Sequence, residues 1–149
     1  MMNTALHFSN KTDEWATPQY LFDELNAEFG FTLDPCATKE NAKCVKFYTR
    51  EDDGLTKDWS KDIVFCNPPY GRVIGKWVEK MATCGARTVV GLIPAKTDTR
   101  YFHDYIYGKA EIRFIKGRVK FGDSKNAAPF PSMIVIFHLP NTPAQGEEK

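Results

Sequence analysis

Apolar residues recur at helical spacing from Tyr20, where Tyr20, Leu21, Phe22, Leu25 and Phe29 form one stripe. Thr17 is placed to cap that helix, Pro18 suits its first position, and Gly30 ends it. Phe31-Thr32-Leu33 then reads as a short strand that stops at Asp34-Pro35. Residues 36–61 are polar and weakly patterned, with a second short strand at Val45-Lys46-Phe47-Tyr48. The pattern sharpens at Asp62-Ile63-Val64-Phe65-Cys66, a non-polar run of the kind found in strands buried on both faces. It breaks at Asn67-Pro68-Pro69-Tyr70-Gly71. Ile74, Trp77, Val78 and Met81 then share a helix face that closes near Gly85. Thr88 to Ile93 predicts another buried strand, ended by Pro94. Tyr101, Phe102, Tyr105 and Ile106 predict a short helix up to Gly108. Glu111–Ile115 and Arg118–Phe121 alternate around Lys116-Gly117, the pattern of a hairpin, and Met133 to Leu139 predicts a last strand.

Helices alternate with strands over the first two-thirds of the chain. That order predicts an α/β layered sheet, parallel at its centre, with antiparallel edge strands contributed by the end of the sequence. Ligands of such sheets bind beyond the carboxyl ends of the strands. Asp34 and Asn67 both stand at such ends, so they fall on one rim. A single domain over residues 14–139 is expected, after a lead-in over 1–13 and before a flexible tail over 140–149.

Composition narrows the picture. The 149 residues are 42% hydrophobic and 26% charged, an ordinary globular balance, and the length suits one domain. Twenty Lys and Arg against 19 Asp and Glu give a net charge of +1, which excludes a wholesale polycation but not a local basic groove. No apolar run approaches the roughly 18 residues of a membrane span, and Met1 to Ser9 lacks the pattern of a signal peptide. Cys36, Cys44, Cys66 and Cys84 form no CxxC pair, and no His lies at zinc-finger spacing. The expectation is four reduced thiols, no metal, and a cytoplasmic protein.

Asn67-Pro68-Pro69-Tyr70 carries the chemistry. A match to the general Asn/Asp/Ser-Pro-Pro-aromatic pattern arises by chance in roughly one chain of this length in two hundred, and here it follows a buried strand. Two prolines fix the backbone, remove two donors and push Asn67 towards an extended conformation. The product is a rigid turn that presents an amide side chain, bare carbonyls and a ring. An exocyclic amino group needs two acceptors, which the Asn67 side-chain oxygen and the Pro68 carbonyl supply. Holding both hydrogens draws the nitrogen out of conjugation with its ring and makes it more nucleophilic. Tyr70 is positioned to stack on the base. A base inside a duplex is unreachable and has to be flipped out. The competing reading is a Pro-rich loop with Tyr70 in the core.

The sequence resembles the phage-type DNA N6-adenine methyltransferases (Dam-like) from about Trp15 to Phe137. The resemblance rests on Trp15-Ala16-Thr17-Pro18, on Leu33-Asp34-Pro35-Cys36-Ala37 with Asn41, and on Asp53-Gly54-Leu55. It continues through Asn67-Pro68-Pro69-Tyr70, Leu92-Ile93-Pro94-Ala95 and Gly117-Arg118-Val119-Lys120-Phe121. It implies a compact Rossmann-like fold, S-adenosylmethionine as methyl donor without a metal, and adenine N6 in double-stranded DNA as acceptor. It also implies host cytoplasm if a phage encodes the chain. The cofactor set implied is Trp15, Thr17, Pro18, Asp34, Pro35, Ala37, Asp53, Leu55 and Asn67. Within it Thr17 and Pro18 line the methionine end, Asp34 pairs with the donor's amino group, and Asp53 and Leu55 flank its adenine. Asn67, Pro68, Pro69 and Tyr70 form the catalytic set. No glycine-rich turn follows Asp34, where Thr38 and Lys39 stand instead.

Lys116, Arg118, Lys120 and Lys125 crowd one short region with Phe121. On a hairpin, Arg118 and Lys120 share a face suited to phosphates, with Phe121 as a wall for the flipped base opposite Tyr70. The alternative is an amphipathic hairpin with a solvated face. The chain is too short for a separate recognition domain. Sequence preference then comes from loops 38–50 and 116–130, or from a second subunit in a homodimer. Two other functions stay open at this point. One is a non-catalytic nucleic-acid-binding module, favoured by the missing glycine-rich turn. The other is amino-group methylation of RNA or of protein glutamine.

Overall fold

The computed structural model describes residues 16–122 and 127–138. Trp15, Lys125, the expected lead-in and the expected tail lie outside the described residues. Helix α1 spans Gln19–Phe29. Strand β1 (Ile63–Cys66), helix α2 (Ile74–Thr83) and strand β2 (Thr88–Pro94) follow. A π-helical turn over Phe102–Ile106 leads to β3 (Glu111–Phe114) and β4 (Ser132–His138).

The four strands lie in the order β1-β2-β4-β3, with β1 and β2 parallel and β4 antiparallel to both of its neighbours. The parallel part continues outward from β1 through two single bridges, Leu33 to Val64 and Asp34 to Phe47. The expected strands at 31–33 and 45–48 therefore shrink to bridging residues. Enough pairing survives to hold Asp34 beside the sheet, because its N–H donates to the Lys46 carbonyl and its own carbonyl accepts from Tyr48, both at 3.1 Å.

Strand periodicity sorts the core into two faces. Val64, Cys66, Val89, Ile93, Met133, Val135 and Phe137 pack against Ile74, Trp77, Val78 and Met81 of α2 and against Phe102 and Ile106. Phe65, Val90, Leu92, Ile134 and Ile136 face Leu21, Phe22 and Leu25 of α1. Each such side chain contributes roughly 2 kcal/mol on burial, so the sheet is fixed by what covers it. Gly91 admits α2 at close range, since a Cβ there would lie 2.8 Å from Met81 Sδ. Tyr20, counted in the helical stripe, is exposed at 62%.

The expected hairpin does not form. β3 pairs with β4, where Phe114 lies opposite Met133, and residues 118–121 belong to no strand. The reason is packing. Val119 and Phe121 alternate because they bury against the α1 face of the core, and β4, buried along nearly its whole length, is the partner that satisfies β3. Ala128 is joined to the 118–121 segment, its N–H donating to Val119 O at 2.8 Å.

Candidate active site

The carboxyl ends of the parallel strands, the end of β3 and the start of β4 share one rim. The registers fix this, with Cys66 beside Gly91, Pro94 beside Ser132 and Phe114 beside Met133. The Asn67–Tyr70 turn leaves β1 there. Asn67 is held from both sides of its amide: Nδ2 donates to Thr17 Oγ1 at 3.0 Å, and Oδ1 accepts from the Tyr70 hydroxyl at 2.7 Å. The Tyr70 hydroxyl also lies 3.1 Å from the Leu92 carbonyl oxygen. One proton thus serves two acceptors. Burial pushes the Tyr70 phenol well above its ordinary pKa, so it stays a donor at neutral pH.

The bond to Thr17 corrects the sequence expectation for that residue. Thr17 does not cap α1. Pro18 holds the N-cap position, at φ −60°, without a side-chain cap, and its carbonyl accepts from Leu21 and Phe22 at 3.1 Å. The helix begins one residue later than expected because the buried Thr17 hydroxyl is committed across the site to Asn67. The segment before it is braced by Gly122 N–H to Ala16 O at 2.8 Å.

Asp34 is 4% exposed. Its carboxylate accepts from the backbone N–H of Lys43 at 3.0 Å and from that of Cys36. Burial outweighs these bonds and pushes its pKa up to about 6. In place of a glycine-rich turn, the following residues close a polar bracket: Thr38 N–H donates to Asn41 Oδ1 at 2.7 Å and Asn41 N–H to Thr38 Oγ1 at 3.1 Å. Ala37 is buried and bonds Tyr48 O.

The Asp53-Gly54-Leu55 segment is brought onto the Asp34-Pro35 turn by the absence of a side chain at 54. A Cβ on Gly54 would overlap the Pro35 carbonyl oxygen and come within 3.2 Å of the Trp77 ring. Trp59, fully buried, fixes the same segment by donating Nε1–H to Gly54 O at 2.9 Å. Asp53 is exposed and adopts φ 59°, a conformation uncommon outside glycine, while Leu55 is half-buried against the core.

The basic segment divides. Lys116, Arg118 and Lys120 are exposed, and Arg118 Nη1 donates to Ala128 O at 3.3 Å. Phe121 is 1% exposed and meets Tyr70 edge-on at 6.2 Å, with Phe130 edge-on at 5.6 Å. In this conformation Phe121 is a support beneath Tyr70 rather than an open wall for a base. The rim also carries exposed Arg72, Lys96 and Arg100, which density of charge along the sequence did not single out. All four cysteines are free, and burial pushes the Cys36 and Cys44 thiols up to about 12, far from thiolates. Among the described residues, no three His, Cys, Asp or Glu side chains gather as a metal site, and no helix is long and apolar enough to cross a membrane.

Residues 5–145 match the family described as DNA N-6-adenine-methyltransferase (Dam). A DNA N-6-adenine-methyltransferase of Haemophilus phage HP1 is 29% identical over 147 residues, which cover 92% of this chain and 85% of the phage protein. A DNA N-6-adenine-methyltransferase of Escherichia phage T1 is 34% identical over 70% of this chain, though the chain spans only 45% of that protein's length. The putative methyltransferase YfdM of Escherichia coli is 45% identical over a shorter stretch, 39% of this chain. With the family match running through every element from α1 to β4, the chain belongs to the DNA N-6-adenine-methyltransferase (Dam) family.

Proposed function

We propose that this protein transfers a methyl group from S-adenosylmethionine to the N6 amino group of an adenine flipped out of duplex DNA, in the cytoplasm of a phage host. The single observation that carries the reading is the clamped Asn67 carboxamide, on a Pro-Pro turn, on the rim that also holds the buried Asp34 carboxylate. The sheet supports a Rossmann-like methyltransferase core, because Phe47, Leu33-Asp34, β1 and β2 run parallel in that order and β4 enters antiparallel.

The residues fit the donor. Asp34 is a buried acceptor whose bonds come from backbone amides, and an ammonium group is the partner that would favour its ionised form. Pro35 and Ala37 shape the turn beside it, and Asp53 and Leu55 are seated on that turn by Gly54. When bound, S-adenosylmethionine supplies an electrophilic methyl on a sulfonium. Everything else falls to the chain. Asn67 Oδ1 and the Pro68 carbonyl accept the two amino hydrogens and orient the nitrogen. Tyr70 keeps its proton and directs its hydrogen bond to Leu92 O when Oδ1 is needed for the amine. Pro68 and Pro69 carry no N–H to compete for those acceptors. Catalysis on this reading comes from placement and a preorganised polar cradle, with the proton leaving to solvent.

An acceptor survey tests the reading. Purified protein is supplied with methyl-labelled donor and, separately, adenine-unmethylated DNA, RNA, or glutamine-bearing protein. Label in N6-methyladenine from DNA alone is expected. Label in RNA or protein alone reassigns the acceptor. No label anywhere, with DNA bound, identifies a non-catalytic binding module.

A further inference from the structure

We propose that Arg72, Lys96 and Arg100 form a second phosphate-contacting flank, so that duplex DNA is held on both sides of the Asn67–Tyr70 turn. The inference rests on the DNA-methylation reading of the same site and adds how the duplex is gripped. The topology places these residues. Arg72 lies in the loop leaving β1, Lys96 lies in the loop leaving β2, and Arg100 stands where that loop enters the next helical turn, so all three follow the rim ends of the parallel strands. The first turn of α2, just after Arg72, adjoins the residue that follows Arg100, because Tyr101 Cβ is 3.9 Å from where a Cβ on Gly75 would stand. The segment of Arg118 and Lys120 buries its Val119 and Phe121 on the α1 face of the sheet, whereas the chain after Arg72 and Arg100 buries Ile74 and Phe102 on the α2 face, so the two basic groups flank the turn from opposite faces of the sheet.

The charge is local and available. All three side chains are exposed, and none makes an ion pair among the described residues. Asp98 is the one acid between Cys66 and Tyr101 in these two loops, against three cations. The chain as a whole carries only +1, so this is a concentration of charge and not a general excess. The β2 loop is also shaped in advance. Thr99 Oγ1 donates to Lys96 O at 2.9 Å, Phe102 N–H donates to Thr99 Oγ1 at 3.3 Å, and His103 Nε2 lies 2.9 Å from Thr97 O. A braced loop loses little entropy on meeting a phosphate backbone.

Salt dependence reads this directly, since each phosphate neutralised on B-DNA adds about 0.9 to the slope of log K against log salt. Duplex binding is measured by fluorescence anisotropy for the wild type, for Lys96→Gln/Arg100→Gln, and for Lys61→Gln/Arg87→Gln. Lys61 and Arg87 are exposed at the opposite end of β1 and β2 and remove the same charge. The rim pair is expected to lower the slope by about 1 to 2 and weaken low-salt binding about tenfold or more. The opposite pair is expected to leave the slope unchanged, and the charge-conserving Lys96→Arg/Arg100→Lys to restore it. Equal losses in both Gln pairs would overturn the proposal, as would an unchanged slope in the rim pair. Tighter binding of single-stranded RNA through the same residues would overturn its assignment to DNA. A wild type that methylates and binds DNA, with the rim pair silent, removes this flank alone. A wild type that binds no DNA removes the parent reading as well.

Discussion

Asn67 and Thr17, fifty positions apart in the sequence, are joined by a 3.0 Å hydrogen bond from Nδ2 to Oγ1. With the Tyr70 hydroxyl on the other edge, this bond sets the plane of the amide that stands at the proposed acceptor site. Thr17→Val keeps the shape and removes the hydroxyl. It is expected to lower kcat roughly tenfold or more, leave donor affinity within about twofold, and cost about 1 kcal/mol of stability. Thr17→Ser is expected to restore kcat. Weakened donor binding with kcat intact would instead make Thr17 a donor contact.

Asp34 supplies a pH dependence whose sign follows from its burial. The folded state holds the proton up to about 6, whereas an ordinary aspartate releases it near 3.8. The stability this group contributes is full below the lower value and is lost as pH rises through the upper one. About two pKa units correspond to at most about 3 kcal/mol. Asp34→Asn is therefore expected to gain stability relative to wild type between about pH 4 and pH 6, levelling above, in urea titrations across that range. Donor affinity of the wild type is expected to rise over the same interval, and that of the variant to be at least about tenfold weaker. Parallel stability curves would show that burial does not raise the pKa of Asp34.

Gly54 and Trp59 locate the Asp53–Leu55 segment. Gly54→Ala forces the segment off the Pro35 carbonyl, and is expected to cost about 1–3 kcal/mol and to weaken donor binding. Trp59→Phe removes the bond to Gly54 O and is expected to cost a similar amount, read from the urea midpoint. Donor binding unaffected by Gly54→Ala would separate this segment from the donor site.

The loop before β4 is expected to matter for DNA and not for the donor. Arg118→Ala is expected to flatten the salt slope of duplex binding by about 1, with donor affinity unchanged. An unchanged slope would mean that the bond to Ala128 O is the whole role of Arg118.

The central strands and α2 were legible because burial writes a strong signal: Ile63–Cys66, Ile74–Thr83 and Thr88–Pro94 lie within two residues of their expected ends. The position of Asn67 beyond β1 was legible for the same reason. Local pattern failed where tertiary packing decides. Arg118–Phe121 alternates like a strand, yet its apolar side chains bury without pairing. Thr17 reads as a helix cap, and only the folded chain shows the amide that claims its hydroxyl. Phe121 reads as a ligand wall from its neighbours in sequence, whereas its ring lies in the core beneath Tyr70. Lys96 and Arg100 are unremarkable in sequence, and only the register of β1 and β2 puts the chain that carries them on the rim of Asn67.

The account turns on Asn67. Wild type and Asn67→Ala are each incubated with methyl-labelled S-adenosylmethionine and adenine-unmethylated duplex DNA, and donor affinity is measured in parallel. The expected result is label in N6-methyladenine for the wild type, a loss of at least about a hundredfold in the variant, and donor affinity nearly equal in the two. Equal transfer by both proteins would contradict the assignment of the Asn67 carboxamide to the acceptor amine.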